Sequence, residues 1–141
     1  MTPFMTCKRV EFCDTDMAGM MHFSNFFRFM EFAEQEFRRS RGLSVAWVEG
    51  VGHFGFPRVS ASCDYVKPAR FEQILDIAVT IEKIGTKSIT FGFSFTNEGE
   101  EIARGVMTSV CCLVGSAGAI NSVSIPPQIR KKLEGSPQIN S

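Results

Sequence analysis

The sequence predicts an α+β fold in which a curved antiparallel sheet covers one buried helix. Three observations lead there. Across residues 23–39 the apolar side chains Phe23, Phe26, Phe27, Met30, Ala33 and Phe37 recur at three- and four-residue steps, the period of a helix. From Leu75 onward the period changes to two, that of strands. The chain also carries 14 Phe against one Tyr and one Trp in 141 residues, aromatic material suited to a large dry core.

The elements follow in order. A short strand over residues 4–12 leads into the turn Asp14-Thr15-Asp16-Met17-Ala18-Gly19. The helix comes next, with Ser24 as its N-cap and Gly42 as its stop. Phe29 and Phe32 widen the apolar stripe, so this long helix must be wrapped by other structure, while Arg28, Glu31, Gln35 and Arg38 form its polar face. Residues 43–56, with Gly50, Gly52 and Gly55, predict a connection with a mobile tip. Residues 57–66 are extended. Leu75, Ile77, Val79 and Ile81 alternate with polar or small residues, as do Ile89, Phe91, Phe93 and Phe95, giving strands with one buried face. Turn signals at Gly85-Thr86 and Asn97-Glu98-Gly99 join the last three strands as antiparallel hairpins.

The final strand, residues 101–114, has few charges after Arg104 and is expected at a central position covered on both sides. Pro126-Pro127 opens a last short helix that runs to Leu133. Residues 1–135 are expected to form one domain and 136–141 a frayed tail. Whichever strand lies at the sheet edge needs a partner or a cover, and dimerisation by edge pairing supplies one.

Composition excludes several functions. Fifteen Lys and Arg against fifteen Asp and Glu leave no net charge, so the footprint needed for a phosphate backbone is missing and nucleic acid is not an expected partner. No apolar run approaches the ~20 residues of a membrane span and no apolar leader follows Lys8 and Arg9, which points to a cytoplasmic protein. Cys7, Cys13, Cys63, Cys111 and Cys112 are odd in number and include no C-x-x-C pair, so reduced thiols are expected and no disulfide or metal framework. With only two histidines, zinc is excluded too.

The turn at residues 14–19 is the best candidate for chemistry. Helix N-termini leave backbone N–H groups unpaired, so the helix start near Phe23 and Ser24 can polarise a carbonyl oxygen. Asp16, seven residues upstream of Phe23, can fold back on the same carbonyl as nucleophile or as general base toward a water. The competing reading is that Asp14 and Asp16 simply make Asx-turn hydrogen bonds. A calcium loop begins D-x-D-x-x-G as this segment does, but it would need an oxygen ligand at Ala18 and a Glu at Asn25. His22, beside the turn, is a candidate general base or a plain loop histidine. His53, in the Gly-rich connection, is read as structural. Glu31 and Glu34 are second-rank carboxylates that face either the site or solvent. The chain lacks a G-x-S-x-G elbow and a Gly-rich phosphate loop.

The segment Phe12-Cys13-Asp14-Thr15-Asp16-Met17-Ala18-Gly19-Met20-Met21-His22-Phe23-Ser24-Asn25-Phe26 resembles the signature of the 4-hydroxybenzoyl-CoA thioesterase branch of hotdog-fold proteins. A second stretch, Cys63-Asp64-Tyr65-Val66-Lys67-Pro68-Ala69-Arg70-Phe71, is similar to the D-Y-x-x-P-A-R-F strand end of that family. The resemblance implies a hotdog fold and an acyl-CoA thioesterase that releases carboxylate and CoA. Asp16 would be the catalytic carboxylate and the Phe23 backbone N–H the oxyanion donor. It further implies a site shared across a homodimer or homotetramer, with no metal and no bound cofactor. Gly19, Ser24 and Glu31 would lie near the substrate, Trp47 would line the acyl pocket, and Arg70, Lys83 and Lys87 would hold the CoA phosphates.

The chain departs from the family pattern at Met17, where Pro or a small residue is usual, and at Phe23, where one sub-branch has His and this chain has His22 one place earlier. The acyl group is therefore left open. Two alternatives remain: a hydratase or dehydratase on the same fold using His22, and a non-catalytic module binding acyl-CoA or acyl carrier protein.

Overall fold

A computed structural model of the chain describes residues 2–44, 46–49, 52–115 and 118–135, with 46–49 and 52 as backbone. The elements are β1 (Phe4–Arg9), α1 (Asn25–Ser40), β2 (Ala46–Glu49), β3 (Gly52–Gly55), β4 (Arg58–Tyr65), β5 (Ile74–Ile84), β6 (Ser88–Asn97), β7 (Glu100–Val110), β8 (Cys112–Val114), β9 (Ile120–Ser122) and α2 (Pro127–Glu134). The alternation in β5 and β6 buries Leu75, Ile77, Val79, Ile89, Phe91, Phe93 and Phe95 on one face of a curved antiparallel sheet ordered β1-β5-β6-β7-β4. That face receives α1. Phe26, Phe29, Met30, Ala33 and Phe37 are buried along it, and ring pairs Phe26–Phe95 and Phe37–Phe91 meet edge to face at 5.4 and 5.5 Å. A Cβ at Gly105 would strike Met30 Sδ, so the glycine in β7 is what lets the helix approach here.

The helix has sixteen residues, an ordinary length rather than the long one expected. Ser24 does not cap it through its side chain: its backbone is already helical, at φ −65 and ψ −24, and its hydroxyl turns to His22 Nδ1 at 2.7 Å. At the other end Gly42 adopts φ +70, and the Gly42 and Leu43 N–H groups donate to Arg39 O and Arg38 O at 3.0 and 2.8 Å. This is the glycine stop that the sequence predicts.

Several expectations need correction. Residues 43–56 hold the β2–β3 hairpin, and β3 pairs with β8 in a second sheet ordered β2-β3-β8-β9. Two four-residue strands, one of them beginning and ending in glycine, carry too little alternation to be read. The last long strand is two: β7 ends at Val110, Cys111 donates its N–H to Lys87 O at 2.7 Å, and β8 enters the other sheet. β7 is central, but its outer face is open at Arg104 and Val106. β1 ends at Arg9, and a single 3-10 turn occupies Phe12–Asp14.

Arg38, assigned to the polar face, is fully buried. The Phe56 and Phe91 rings lie 4.5 and 5.5 Å from its guanidinium carbon, and Glu34, itself buried, accepts from Arg38 Nε at 3.3 Å and from Arg58 Nη2 at 2.9 Å. Nor is every Phe in the core: Phe12, Phe23 and Phe71 are exposed. α2 opens on Pro127 and buries Ile129 and Leu133. The 136–141 tail lies outside the described residues. Among the described residues no helix is long and apolar enough to cross a membrane. The outer strands of the larger sheet are β1 and β4.

Candidate active site

The turn before α1 is closed by its own backbone. Asp16 N–H donates to Met20 O at 2.8 Å and Gly19 N–H to Asp16 O at 3.0 Å, a reversal that requires the φ of +78 at Gly19. Asp16 Oδ1 accepts from the N–H groups of Ala18 at 2.9 Å and Met20 at 3.4 Å. The Asx-turn reading thus holds for one carboxylate oxygen. Among the described residues Asp16 Oδ2 accepts no hydrogen bond. Asp14 has structural partners: its Oδ2 accepts from Glu11 N–H at 2.8 Å, and its carbonyl accepts from His22 N–H at 2.9 Å and Asn25 Nδ2 at 2.8 Å.

The two sequence motifs meet in space. Met21 N–H donates to Ala69 O at 2.7 Å, and Met20 bridges to Arg70. Between them opens a pocket of about 400 Å³, walled by Phe23, Phe26, Tyr65, Pro68 and Ala69, with Asp16 at its side. Phe23 O accepts from Phe26 N–H at 3.3 Å and from the Tyr65 hydroxyl at 3.2 Å. The Phe23 N–H has no acceptor among the described residues. Asp16 and Phe23, the latter just ahead of the N-cap of α1, thus both line one pocket with apolar walls.

The remaining candidates are placed in different parts of the molecule. Gly19, Ser24 and Arg70 sit in or directly beside the segments that form the pocket, and Arg70 is exposed with its N–H donating to Gln73 Oε1 at 2.8 Å. His22 and Glu31 are not part of the pocket wall. The His22 ring stacks on Phe23 at 4.6 Å and accepts from Ser24 N–H at 3.3 Å, while Glu31 is mostly exposed and 3.8 Å from Arg58 Nη1. Lys83 and Lys87 flank the β5–β6 turn, at the far end of the sheet from the Phe95 that packs on Phe26, roughly 20 Å along the strands. The Trp47 side chain lies outside the described residues.

Tyr65 is the residue that the sequence reasoning missed. Its ring packs at 5.2 Å on Phe26 while its hydroxyl reaches the turn from 42 residues away. The signal was present, a single phenol among 14 phenylalanines. Burial, aided by Cys63, pushes its pKa up, so it remains a hydroxyl donor. Burial likewise raises the Cys63 thiol to about 11, with Asp64 adding to the shift. At the pocket rim Lys67 Nζ is paired with Glu100 Oε2 at 2.8 Å, which holds that carboxyl below its usual range.

Comparison with known proteins follows the same lines. Residues 10–133 match the family described as the thioesterase-like superfamily. A relative in Aquifex aeolicus, provisionally named an esterase, is 33% identical over 132 residues, covering 94% of this chain and 98% of that protein. A 1,4-dihydroxy-2-naphthoyl-CoA hydrolase of Prochlorococcus marinus is 29% identical over 140 residues, covering 94% of this chain and 82% of its own. Among solved structures, a 1,4-dihydroxy-2-naphthoyl-CoA thioesterase from Synechocystis superposes with a TM-score of 0.82 at 23% identity, over 93% of this chain and 95% of that one. With a family match across nearly the whole chain and a sheet wrapped on one helix, this protein belongs to the thioesterase-like superfamily and has the hotdog fold.

Proposed function

We propose that this chain hydrolyses acyl-CoA thioesters to the carboxylate and CoA, with Asp16 as the reacting carboxylate and the Phe23 N–H as oxyanion donor. The observation that supports the reading is that both residues line one apolar pocket, while neither Asp16 Oδ2 nor the Phe23 N–H has a hydrogen-bond partner among the described residues. A thioester oxygen accepting from Phe23 N–H becomes more negative as its carbon is attacked, and the positive end of α1 favours that charge. Asp16 either attacks the carbonyl carbon, expelling CoA thiolate and leaving a mixed anhydride for water to cleave, or takes a proton from an attacking water. Both routes consume one water and yield the same products, with no metal or cofactor required. His22, bonded to Ser24 and outside the pocket wall, lends no support to a hydratase.

The rings of Phe23, Phe26 and Tyr65 suit a flat acyl group, as does the aromatic substrate in the name of the Prochlorococcus relative. Arg70, exposed and next in sequence to the lining residue Ala69, would hold CoA phosphate, whereas Lys83 and Lys87 would reach a site only on another protomer. β4 pairs with β7 alone and is mostly exposed, so a second copy joined along its free edge completes a homodimer beside Tyr65. The reaction belongs in the cytoplasm, carried by one domain over residues 1–135.

The test is hydrolysis of aromatic, short and long acyl-CoAs and of an acyl carrier protein thioester, followed by loss of thioester absorbance, with Asp16→Asn in parallel. Asn keeps the Oδ1 acceptor for Ala18 and Met20, so the turn persists while turnover falls about 10²- to 10⁴-fold. Undiminished turnover in the variant removes Asp16 from the chemistry. Saturable binding of every thioester without cleavage establishes a binding module instead.

A further inference from the structure

Arg41, the first residue after α1, is buried without a counter-charge among the described residues. It is 6% exposed, and its Nε and Nη1 are buried with no hydrogen-bond partner. Its guanidinium carbon lies 4.9 Å from the Phe37 ring centre. Burial lowers its pKa, and no carboxylate among the described residues opposes that, in contrast to Arg38, whose buried charge is met by Glu34. The acid that follows Ile81 on β5, Glu82, is turned away across Gly92 and accepts from the Thr80 hydroxyl at 2.8 Å. An arginine stays protonated even when buried, so a cation in such a place calls for an anion.

Beside it lies a partly open cavity of about 130 Å³, bounded by Arg41, Phe4, Phe37, Val79 and Ile81, with Thr2 and Thr80 completing the lining. The volume equals that of about four waters. Its walls are apolar apart from the threonines and the guanidinium. Water alone would leave the apolar wall wet, and a bare inorganic ion would leave it uncovered. We propose that this cavity binds a small organic anion, a carboxylate with a short apolar tail, its oxygens on Arg41 and its tail against Phe4, Phe37, Val79 and Ile81.

The site is separate from the Asp16 pocket, which lies at the other end of α1, roughly 24 Å away by helix rise. It does not rest on the thioesterase reading.

Titration of the full-length protein with butyrate, read in ¹H–¹⁵N spectra of the arginine side chains, tests it. The expected result is a saturable shift of the Arg41 Nε–H signal, with accompanying shifts at Phe4, Phe37, Val79 and Ile81, and binding weakened about 10-fold or more in Arg41→Met. The wild-type shifts decide the matter even if that variant fails to fold. No saturable Arg41 shift, equal binding by Arg41→Met, or chloride and inorganic phosphate binding as tightly as butyrate would each overturn the proposal. Thioester hydrolysis by wild type and Asp16→Asn is measured independently, so failure here leaves that reading standing.

Discussion

Ahead of the N-terminal end of α1, Asp16 and Phe23 line a surface pocket, where solvent can meet the hydrogen-bonding needs of polar groups. At the C-terminal end, Glu34, Arg38 and Arg41 lie inside, and Glu34 Oε1 and both Arg38 Nη atoms are buried with no hydrogen-bond partner. The difference teaches where each kind of polar group acts. An exposed group can be reactive at little cost to folding, whereas a buried charge is bound up with stability because removing its partner strands it in a medium that cannot solvate it. Substitutions at the two ends should therefore separate cleanly into effects on turnover and effects on stability.

The largest effect is expected at the buried end. Glu34→Ala leaves Arg38 without its counter-charge and should cost about 3–5 kcal/mol in urea unfolding, while the folded fraction keeps its kcat. A kcat loss matching that at Asp16 would erase the distinction between the ends. Next come the two shielded thiols, Cys63 near the pocket and Cys111 near Arg38, both raised by burial from 9.0 to about 11. Two units put their thiolate fraction at pH 8 about 100-fold below that of an ordinary thiol. Iodoacetamide labelling followed by mass spectrometry should mark Cys7 and Cys13 first, and labelling of Cys63 and Cys111 should keep rising as the pH is raised toward 11. Equal labelling of all five would show that the burial is lost in solution.

Smaller still is Tyr65→Phe, which keeps the ring on Phe26 and deletes only the hydroxyl that holds Phe23 O. A net hydrogen bond of about 1 kcal/mol corresponds to a kcat loss of about 3- to 10-fold with KM and Tm little changed. A fall in Tm with unchanged kcat would assign the hydroxyl to folding alone. The smallest is Arg39→Ala. Its pair with Glu36 is exposed, so a stability change under about 0.5 kcal/mol is expected by thermal unfolding.

Much of this was legible in the chain. The period of α1, the Gly42 stop and the alternation of β5 and β6 come from local patterns that tertiary packing then used. Asp16 and Phe23 could be proposed from the sequence because helix-start chemistry is local, and both line the pocket. What escaped depended on remote neighbours. Arg38 looks like a surface residue on any helical projection, and only Phe56, Phe91 and Glu34 around it make it interior. Ser24 has the right side chain for a cap, yet His22 two residues away claims its hydroxyl. Tyr65 became visible as a site residue only when β4 brought it to Phe23. The β2–β3 hairpin was hidden by glycines that read as loop until β8 supplied the pairing.

The hydrogen bond from Tyr65 to Phe23 spans 42 residues, and the pocket walls come from residues 16–26 and 65–69, which nothing local holds together. They meet only after β4 has paired with β7, itself some forty residues further along the chain. A nascent or partly folded chain can therefore form α1 and its Asp16 turn early and still have no cleft in which a thioester could sit. The pocket thus depends on long-range pairing in a way that α1 does not, so turnover should report native structure more sensitively than helix content.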